Sequence, residues 1–566
     1  MQYHGFRESM QRLSFILLAG VVLLLVGGMQ MNAQDLERIG KEKPVRVSGS
    51  ASVRAQYYGA SGIEERRDPF SGILAGNITV DLYGLSLPFS FSWSTQERNF
   101  SQPFNQFGVS PRYKWITAHL GYRNLTFSPY TLSGHQIFGA GLELTPGDFR
   151  ASFITGRLRQ AVPLDTLDSL NIEEPAFERT GFAGRLGYGA DVFSFDLSFL
   201  KARDDTNTLT SAAANGTSLR PGENLVVGAA VSLKPTNGLT FKLDGAVSDY
   251  TRDVRSDSIS LSDGAETLGE VIVPRASTQI YTAMRAEMSY YGDAFSTTAN
   301  YTRVDPDYQS MGAYYTAGDV ESISLSPSLR LAKGKMNLTG NFTWAHDNLQ
   351  DKKLATTQSI SPSLTMNWNP GTKFGLMISA SDIITSQSAG RLPINDTTVM
   401  NQHTPSITIG PRYMINDTAV SHFFFLTTTH QQLLDNNEFT SRWSEYNTTI
   451  ANLSWTMTAS RAALSLNSSL TGTYVENSAG QQTTWGASVG ATKGFFEEKL
   501  SVNGSTSASF ADVSRTISVG AGGTYKAGKH HSFNLNLSVS TTDYTENIAG
   551  SSFTEYTGTA GYAYRF

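Results

Sequence analysis

Nine histidines are the residues of this chain with the widest chemical repertoire, and they are not arranged to use it. A hydrolase needs a histidine beside a serine and an acid, and a metal site needs His, Asp or Glu at ligand spacing. His119, His135, His346, His403, His422 and His430 stand apart from one another, with no such pattern around them. His530 and His531 are adjacent in a short polar turn, where a solvated pair is the ordinary state, and His4 lies in an N-terminal segment expected to be removed. The absence of cysteine excludes a thiolate metal site, a cysteine nucleophile, a disulfide framework and a lipid anchor on cysteine. No glycine-rich phosphate loop is present. These residues predict a protein that is not an enzyme and holds no cofactor or metal. With 44 Lys+Arg against 49 Asp+Glu, the charge is too balanced for a nucleic-acid partner.

The elements behind those residues are strands. Arg7 and Arg12 precede an apolar run of about 14 residues, short of the roughly 20 that a spanning helix needs. Polar residues and Ala33 follow, so residues 1–33 read as a secretory signal and 34–44 as a short periplasmic segment. From Val45 onward the hydrophobic period is two. Phe533, Leu535, Leu537 and Val539 alternate with Ser532, Asn534, Asn536, Ser538 and Ser540. Met336, Leu338, Phe342 and Trp344 alternate in the same way with Asn337, Thr339, Asn341 and Thr343, and a third such stretch fills 500–510. One face is apolar and the other carries hydroxyls and amides.

The connections alternate as well. Short Gly, Pro or Asn turns, such as Tyr291-Gly292-Asp293, Ala332-Lys333-Gly334 and Asn369-Pro370-Gly371, close hairpins, whereas long polar stretches at 157–177, 203–222, 251–277 and 386–402 separate them. Ser326-Pro327-Ser328-Leu329, Ser361-Pro362-Ser363-Leu364 and Thr404-Pro405-Ser406-Ile407 recur, each in a strand leading into a short turn. Since proline removes a ladder donor, three at matching heights suggest a duplicated hairpin or a shared bend. A set of soluble sandwiches would need linkers, and none is legible. An all-β transmembrane up-and-down antiparallel barrel over 45–566 fits better, with about 26 strands, or about 24 as the fallback, short periplasmic turns and longer extracellular loops. Seven strands are expected before Tyr188, with an eighth around 122–127, and the rest follow Val192.

The last strand puts Tyr556, Gly558, Ala560, Tyr562, Tyr564 and Phe566 on one face. This ending, with Tyr562, Tyr564 and Phe566 as its aromatic positions, resembles the C-terminal assembly signal of Gram-negative outer-membrane proteins. The resemblance implies an outer-membrane location, recognition by the barrel-assembly machinery, and contact with outer-membrane lipid and lipopolysaccharide. Val45-Arg46-Val47-Ser48-Gly49 and the segment 99–135 resemble the N-terminal part of large, mostly uncharacterised outer-membrane barrels of the Bacteroidota, most clearly over 45–159. Asp165-Thr166-Leu167, Asp168-Ser169-Leu170, Asp257-Ser258-Ile259, Asp396-Thr397-Thr398 and Asp417-Thr418-Ala419 resemble the O-glycosylation acceptor of secreted proteins from that group.

A barrel of this size would be roughly 50 Å across, wide enough to require loops folded inward, a flattened section or a partner chain in its lumen. If the apolar faces meet lipid, Glu143, Arg150, Arg185, Asp196, Lys242, Asp244, Arg285, Glu287 and Arg330 face inward, while the later wall is mostly Ser, Thr and Asn. Those charges would guide a solute, hold a plug, or brace the wall as cross-strand salt bridges. The aromatic and proline-rich segment 99–135, with Phe104, Phe107, Trp115, Tyr130 and His135, reads equally as an inward constriction or partner-docking fold and as a large loop with an irregular strand pair. The expected function is a pore or channel for polar solutes with a lumen partly filled by inward-folded loops. The alternative is a non-enzymatic component of a secretion or assembly complex, bound to a protein partner. A TonB-driven receptor fits less well, because 34–44 is too short for a plug domain.

Overall fold

The computed structural model describes residues 45–96, 104–163, 175–209, 219–259, 273–314, 317–391, 393, 395–397, 399–544 and 552–566. The signal and the periplasmic segment expected at 1–44 lie outside the described residues, as do the first two glycosylation-like triplets. Twenty-nine of the described strand segments form one antiparallel sheet, and two short ones pair in a separate parallel ladder. Three strands are each made of two segments: Gln106–Val109 with Arg112–Tyr113, Phe374–Ser381 with Ile384–Ala389, and Asn401–His403 with Ser406–Asn416. The barrel therefore has 26 strands, as the alternation predicts. The first strand, Val45–Ser61, closes on the last, Phe553–Arg565, in a register running from Ser50 opposite Arg565 to Ser61 opposite Thr554. Closure leaves no sheet edge, which is what hydrocarbon demands of backbone donors and acceptors.

Strand direction sorts the connections into two ends. One end carries tight turns, for example Tyr83-Gly84, where φ values of 45° and 89° give the doubly left-handed turn that matches strand twist. The other end carries the longer connections, including 125–135, 160–178, 205–222, 252–277 and 305–319. The sorting is not strict, since Ser478-Ala479 and 511–513 are short connections at the loop end. No described helix is long and apolar enough to cross a membrane.

Large apolar side chains cover the outside. Leu120, Leu142, Phe153, Leu186, Val227, Leu243, Leu470, Val489, Val519 and Leu537 all stand exposed on outward positions. Leu537 is 53% exposed in a fully formed strand, a state that favours lipid as its neighbour. The three Ser/Thr-Pro sequences do sit in strands leading into short turns, and their ladders are irregular. Opposite Ser361 and Pro362 the neighbouring strand breaks at Asp382-Ile383, and Thr404-Pro405 lies beside the same break, with the Thr404 amide bonded to the Ile383 carbonyl. The prolines thus mark a local bend in the wall.

Two of the expected details differ. The eighth early strand is Ile116–Asn124 rather than 122–127, because the chain leaves the wall after Asn124 and turns into the lumen. Inward positions are also not uniformly polar. Ile154, Leu158, Ala183, Leu200, Val226, Ala246 and Val304 face inward and are buried. They form the one apolar core the described residues contain, and it lies inside the barrel.

Candidate functional site

What covers those inward apolar residues is a pair of inward-folded arms, 125–135 and 305–314. The first contributes Leu125, Tyr130 and Leu132 to the core and the second Tyr308 and Met311, with Phe127 packed at its margin. The arms meet in a short parallel ladder, Leu132 with Gly312 and Ser133 with Ala313. The Tyr308 hydroxyl donates to the Tyr130 carbonyl at 2.7 Å, and the rings of the two tyrosines cross edge to face with centroids 6.1 Å apart. The Ser310 hydroxyl donates to the Thr131 carbonyl.

Polar groups fix the arms to the wall. Asn224, fully buried, donates to the Ser248 hydroxyl at 2.8 Å and to the Asp249 carbonyl at 3.0 Å, and accepts the Met311 amide at 2.9 Å. Ser248 in turn donates to the Gln309 carbonyl at 2.6 Å. On the other arm, Ser128 donates to Asp244 at 2.8 Å, Thr131 and Ser198 share a bond at 3.1 Å, and the Arg185 guanidinium stands 5.3 Å from the Phe127 ring centroid. Each of these groups has a partner, so the arms are built into the wall rather than resting against it. The Tyr308 hydroxyl is pushed well above the ordinary tyrosine range, first by burial and then by its neighbours Tyr130 and Asp244, so it remains a donor at neutral pH.

Toward the turn end, below the arms, the inward charges pair across strands and, for Arg285 with Glu287, along one strand. Arg150 contacts Asp196 through two short bonds, Lys242 and Arg285 share Glu287 at 3.0 and 3.2 Å, and Glu143 lies 3.0 Å from His119 and 4.0 Å from Arg185. Arg330 stands apart, exposed. These charges link strands one or two places apart in the wall, and Asp244 and Arg185 also contact the first arm. From Met336 to Tyr544 the inward face is mainly Ser, Thr, Asn and Gly, with an apolar group of Met377, Phe423 and Phe425 and with Arg412, Asp435 and Lys526 toward strand ends. Hydroxyl pairs such as Ser469–Ser488 at 2.7 Å and Ser518–Ser540 at 2.9 Å tie those strands together. Asn341, Asn467, Asn503, Ser505, Asn536 and Ser538 are exposed on this face, so no described residue covers the wall opposite the arms.

The aromatic segment 99–135 divides between the two readings given for it. Tyr130 and His135 are buried in the lumen, and the His135 ring stacks on Tyr314 of the other arm at 4.3 Å. Phe107 belongs instead to the outer face, packed edge-on against Tyr122 and Phe138 at 6.2 and 5.9 Å. Trp115 sits exposed at the tight turn after Arg112–Tyr113, and Phe104 is exposed at the loop end. The part that folds inward is therefore the C-terminal third of that segment. The second arm was not singled out from sequence, although Pro306, Tyr308, Tyr314 and Tyr315 repeat the proline and tyrosine content of the first.

Tyr562 and Tyr564 lie on the closing strand, opposite Val53 and Ala51, and Phe566 stacks on Tyr564 at 5.5 Å. Asp257-Ser258-Ile259 and Asp396-Thr397 are at the loop end, and Asp417-Thr418-Ala419 is at the turn end. Among the described residues no group of three His, Asp or Glu side chains could hold a metal ion.

No family model matches the chain, and no curated protein matches it. Similar solved structures include the P pilus usher (PapC) translocation pore, at 10% identity and TM-score 0.36 over 91% of this chain and 98% of that one. Two others are the FrpB iron transporter of Neisseria meningitidis, at 12% identity and 0.37 over 95% and 83%, and the ferric enterobactin receptor PfeA of Pseudomonas aeruginosa, at 11% and 0.38 over 92% and 80%. Likeness at this level carries no argument about function. The fold stands on the chain's own ladder: a closed, all-antiparallel barrel with an apolar belt is a β-barrel of the Gram-negative outer membrane.

Proposed function

We propose that this barrel is a passive pore for polar solutes, with the loop end outside the cell and the turn end in the periplasm. The observation that supports it is the asymmetry of the lumen: both arms pack on the strands between Ile116 and Leu331, while the hydroxyl and amide wall opposite stays exposed. Arms fixed to one side narrow a wide cylinder without closing it. Most of the inward charges are paired, so the pore sorts solutes by size and polarity more than by charge.

Single-channel recording of the purified chain in a planar bilayer, beside a mass-spectrometric inventory of what copurifies in mild detergent, tests this reading. A stable open current from the lone chain is expected. A silent barrel with a stoichiometric partner would overturn the pore and make the protein a component of a secretion or assembly complex.

A further inference from the structure

At the loop end the second arm lines a cleft of about 730 Å³. Its floor is made by Tyr308, Ser310 and Met311, the residues that fasten this arm to the first arm and to Asn224. A volume in this range suits a ligand of several rings. The rim carries Tyr314 with the carboxamides Gln279, Gln309 and Gln350, and Tyr281 is buried beside Gln279, to which its hydroxyl donates. Tyr314 is held on its His135 stack yet remains 42% exposed, and Gln279, Gln309 and Gln350 are exposed as well.

Most of the charges in the cleft have a charged neighbour. Arg179 is bidentate on Asp204 at 2.8 and 3.0 Å, Lys353 bridges Asp319 and Asp347, and Asp307 faces Arg252 at 3.9 Å. Lys352 donates to Gln350 at 2.6 Å and is the one cation of the rim without a carboxylate among the described residues. A site for an anion would keep its cations free for bidentate contact. What remains for a ligand is the exposed ring of Tyr314 and the side-chain carboxamides of Gln279, Gln309 and Gln350, and a carboxamide offers both donors and an acceptor. Sugar hydroxyls are donors and acceptors at once, and their rings carry C–H faces that lie on aromatic surface.

We infer that this cleft binds a neutral oligosaccharide at the mouth of the barrel. The inference deepens the pore reading and rests on it for the substrate class it names, since the exposed wall beyond the arms is built of the same neutral hydroxyls and amides. An occupied cleft stands directly on the contacts that hold the two arms together.

The test is isothermal titration of the full-length barrel in a sugar-free polyoxyethylene detergent, with maltohexaose, cellohexaose and hexa-N-acetylchitohexaose as separate titrants and citrate as the anionic comparison. Saturable binding of at least one hexasaccharide is expected, weakened about tenfold or more in Gln309→Ala and in Tyr314→Ala and unchanged in Glu497→Ala at the turn end. Gln309 presents an exposed side chain, so that variant is expected to keep its heat-modifiable mobility on a gel, the check that the barrel is folded. No heat from any of the three up to about 10 mM, preferential binding of citrate, or wild-type affinity in both cleft variants would overturn the inference. A barrel that binds but carries no current overturns the pore and leaves the cleft standing. One that conducts but binds no sugar does the reverse.

Discussion

The Tyr308 hydroxyl reaches the Tyr130 carbonyl at 2.7 Å across 178 residues of chain, and this bond joins two loops that share no strand. Neither arm covers the inward apolar residues alone. Together they bury Leu200 and Val226 completely, so each arm depends on the other for its position.

Gly312 is where that dependence is most easily broken. A Cβ there would meet the Thr131 carbonyl oxygen at 2.8 Å and a Leu200 methyl at 2.9 Å. Gly312→Val is expected to cost about 1–3 kcal/mol of arm docking and to lift both arms from the wall. Single-channel conductance should rise while the barrel keeps its heat-modifiable mobility; unchanged conductance would mean that the arms do not narrow the passage.

Asn224 holds the second arm from the wall side. Asn224→Ala strips the Met311 amide of its acceptor and the Ser248 hydroxyl of a donor, at about 1–3 kcal/mol for each buried group left unpaired. Hydrogen exchange is the measure. The Met311 amide should lose protection, and the ladder amides of the neutral wall should keep theirs.

Alkali should act on the same latch. The folded Tyr308 hydroxyl titrates above its unfolded value, so its stabilisation is complete below about pH 10 and is lost as the pH rises through the folded value, when the donor to Tyr130 disappears. Arm opening read by hydrogen exchange is expected to begin only above about pH 10. Tyr308→Phe should be looser at neutral pH and show a weaker alkaline step, with Tyr130 as the remaining titrating neighbour.

Ion selectivity is expected to be weak. Arg150–Asp196 cancels, while Lys242–Glu287–Arg285 leaves one positive charge and Arg330, unpaired among the described residues, adds another, so reversal potentials in asymmetric KCl should show no more than a slight anion preference. Replacing both Lys242 and Arg285 by Glu should turn the pore cation-selective. A strong preference in the wild type would show that the pairing does not cancel.

The two faces of the wall can be told apart with one probe. Leu537→Arg should destabilise the barrel in lipid by about 2–4 kcal/mol, whereas Ser538→Arg, on the lumen side, should be tolerated. Unfolding by denaturant in vesicles reads the difference, and equal stability of the two variants would mean the faces are reversed.

The wall was legible because period two is a local signal: Phe533 to Ser540 state their own two faces, and turn chemistry states the ends. The strand count follows from the same signal. The arms were only half legible. The stretch 125–135 announces itself by breaking the rhythm with Pro129 and Tyr130, but 305–314 is shorter and reads as an ordinary loop until its partner is seen. One clue lay in the wall itself. In Phe193–Asp204 the run Ser198-Phe199-Leu200-Lys201-Ala202 is apolar on both faces at Phe199 and Leu200, which is how a strand covered on two sides reads. The pairing of the charges was less visible, since Glu143 and Arg185 meet only through barrel register.

Gly49 and Phe566 exchange both backbone hydrogen bonds at 3.1 Å, so the seam that closes the cylinder joins the first strand to the last. Every other contact between adjacent strands of the wall can form between near neighbours in the chain, but this one must gather the ends of a very long loop, and its rate is set by that search. Until the seam forms, both of its strands present open edges to any other chain nearby. The time spent open, rather than the final stability, is therefore the period in which this protein is most exposed to aggregation.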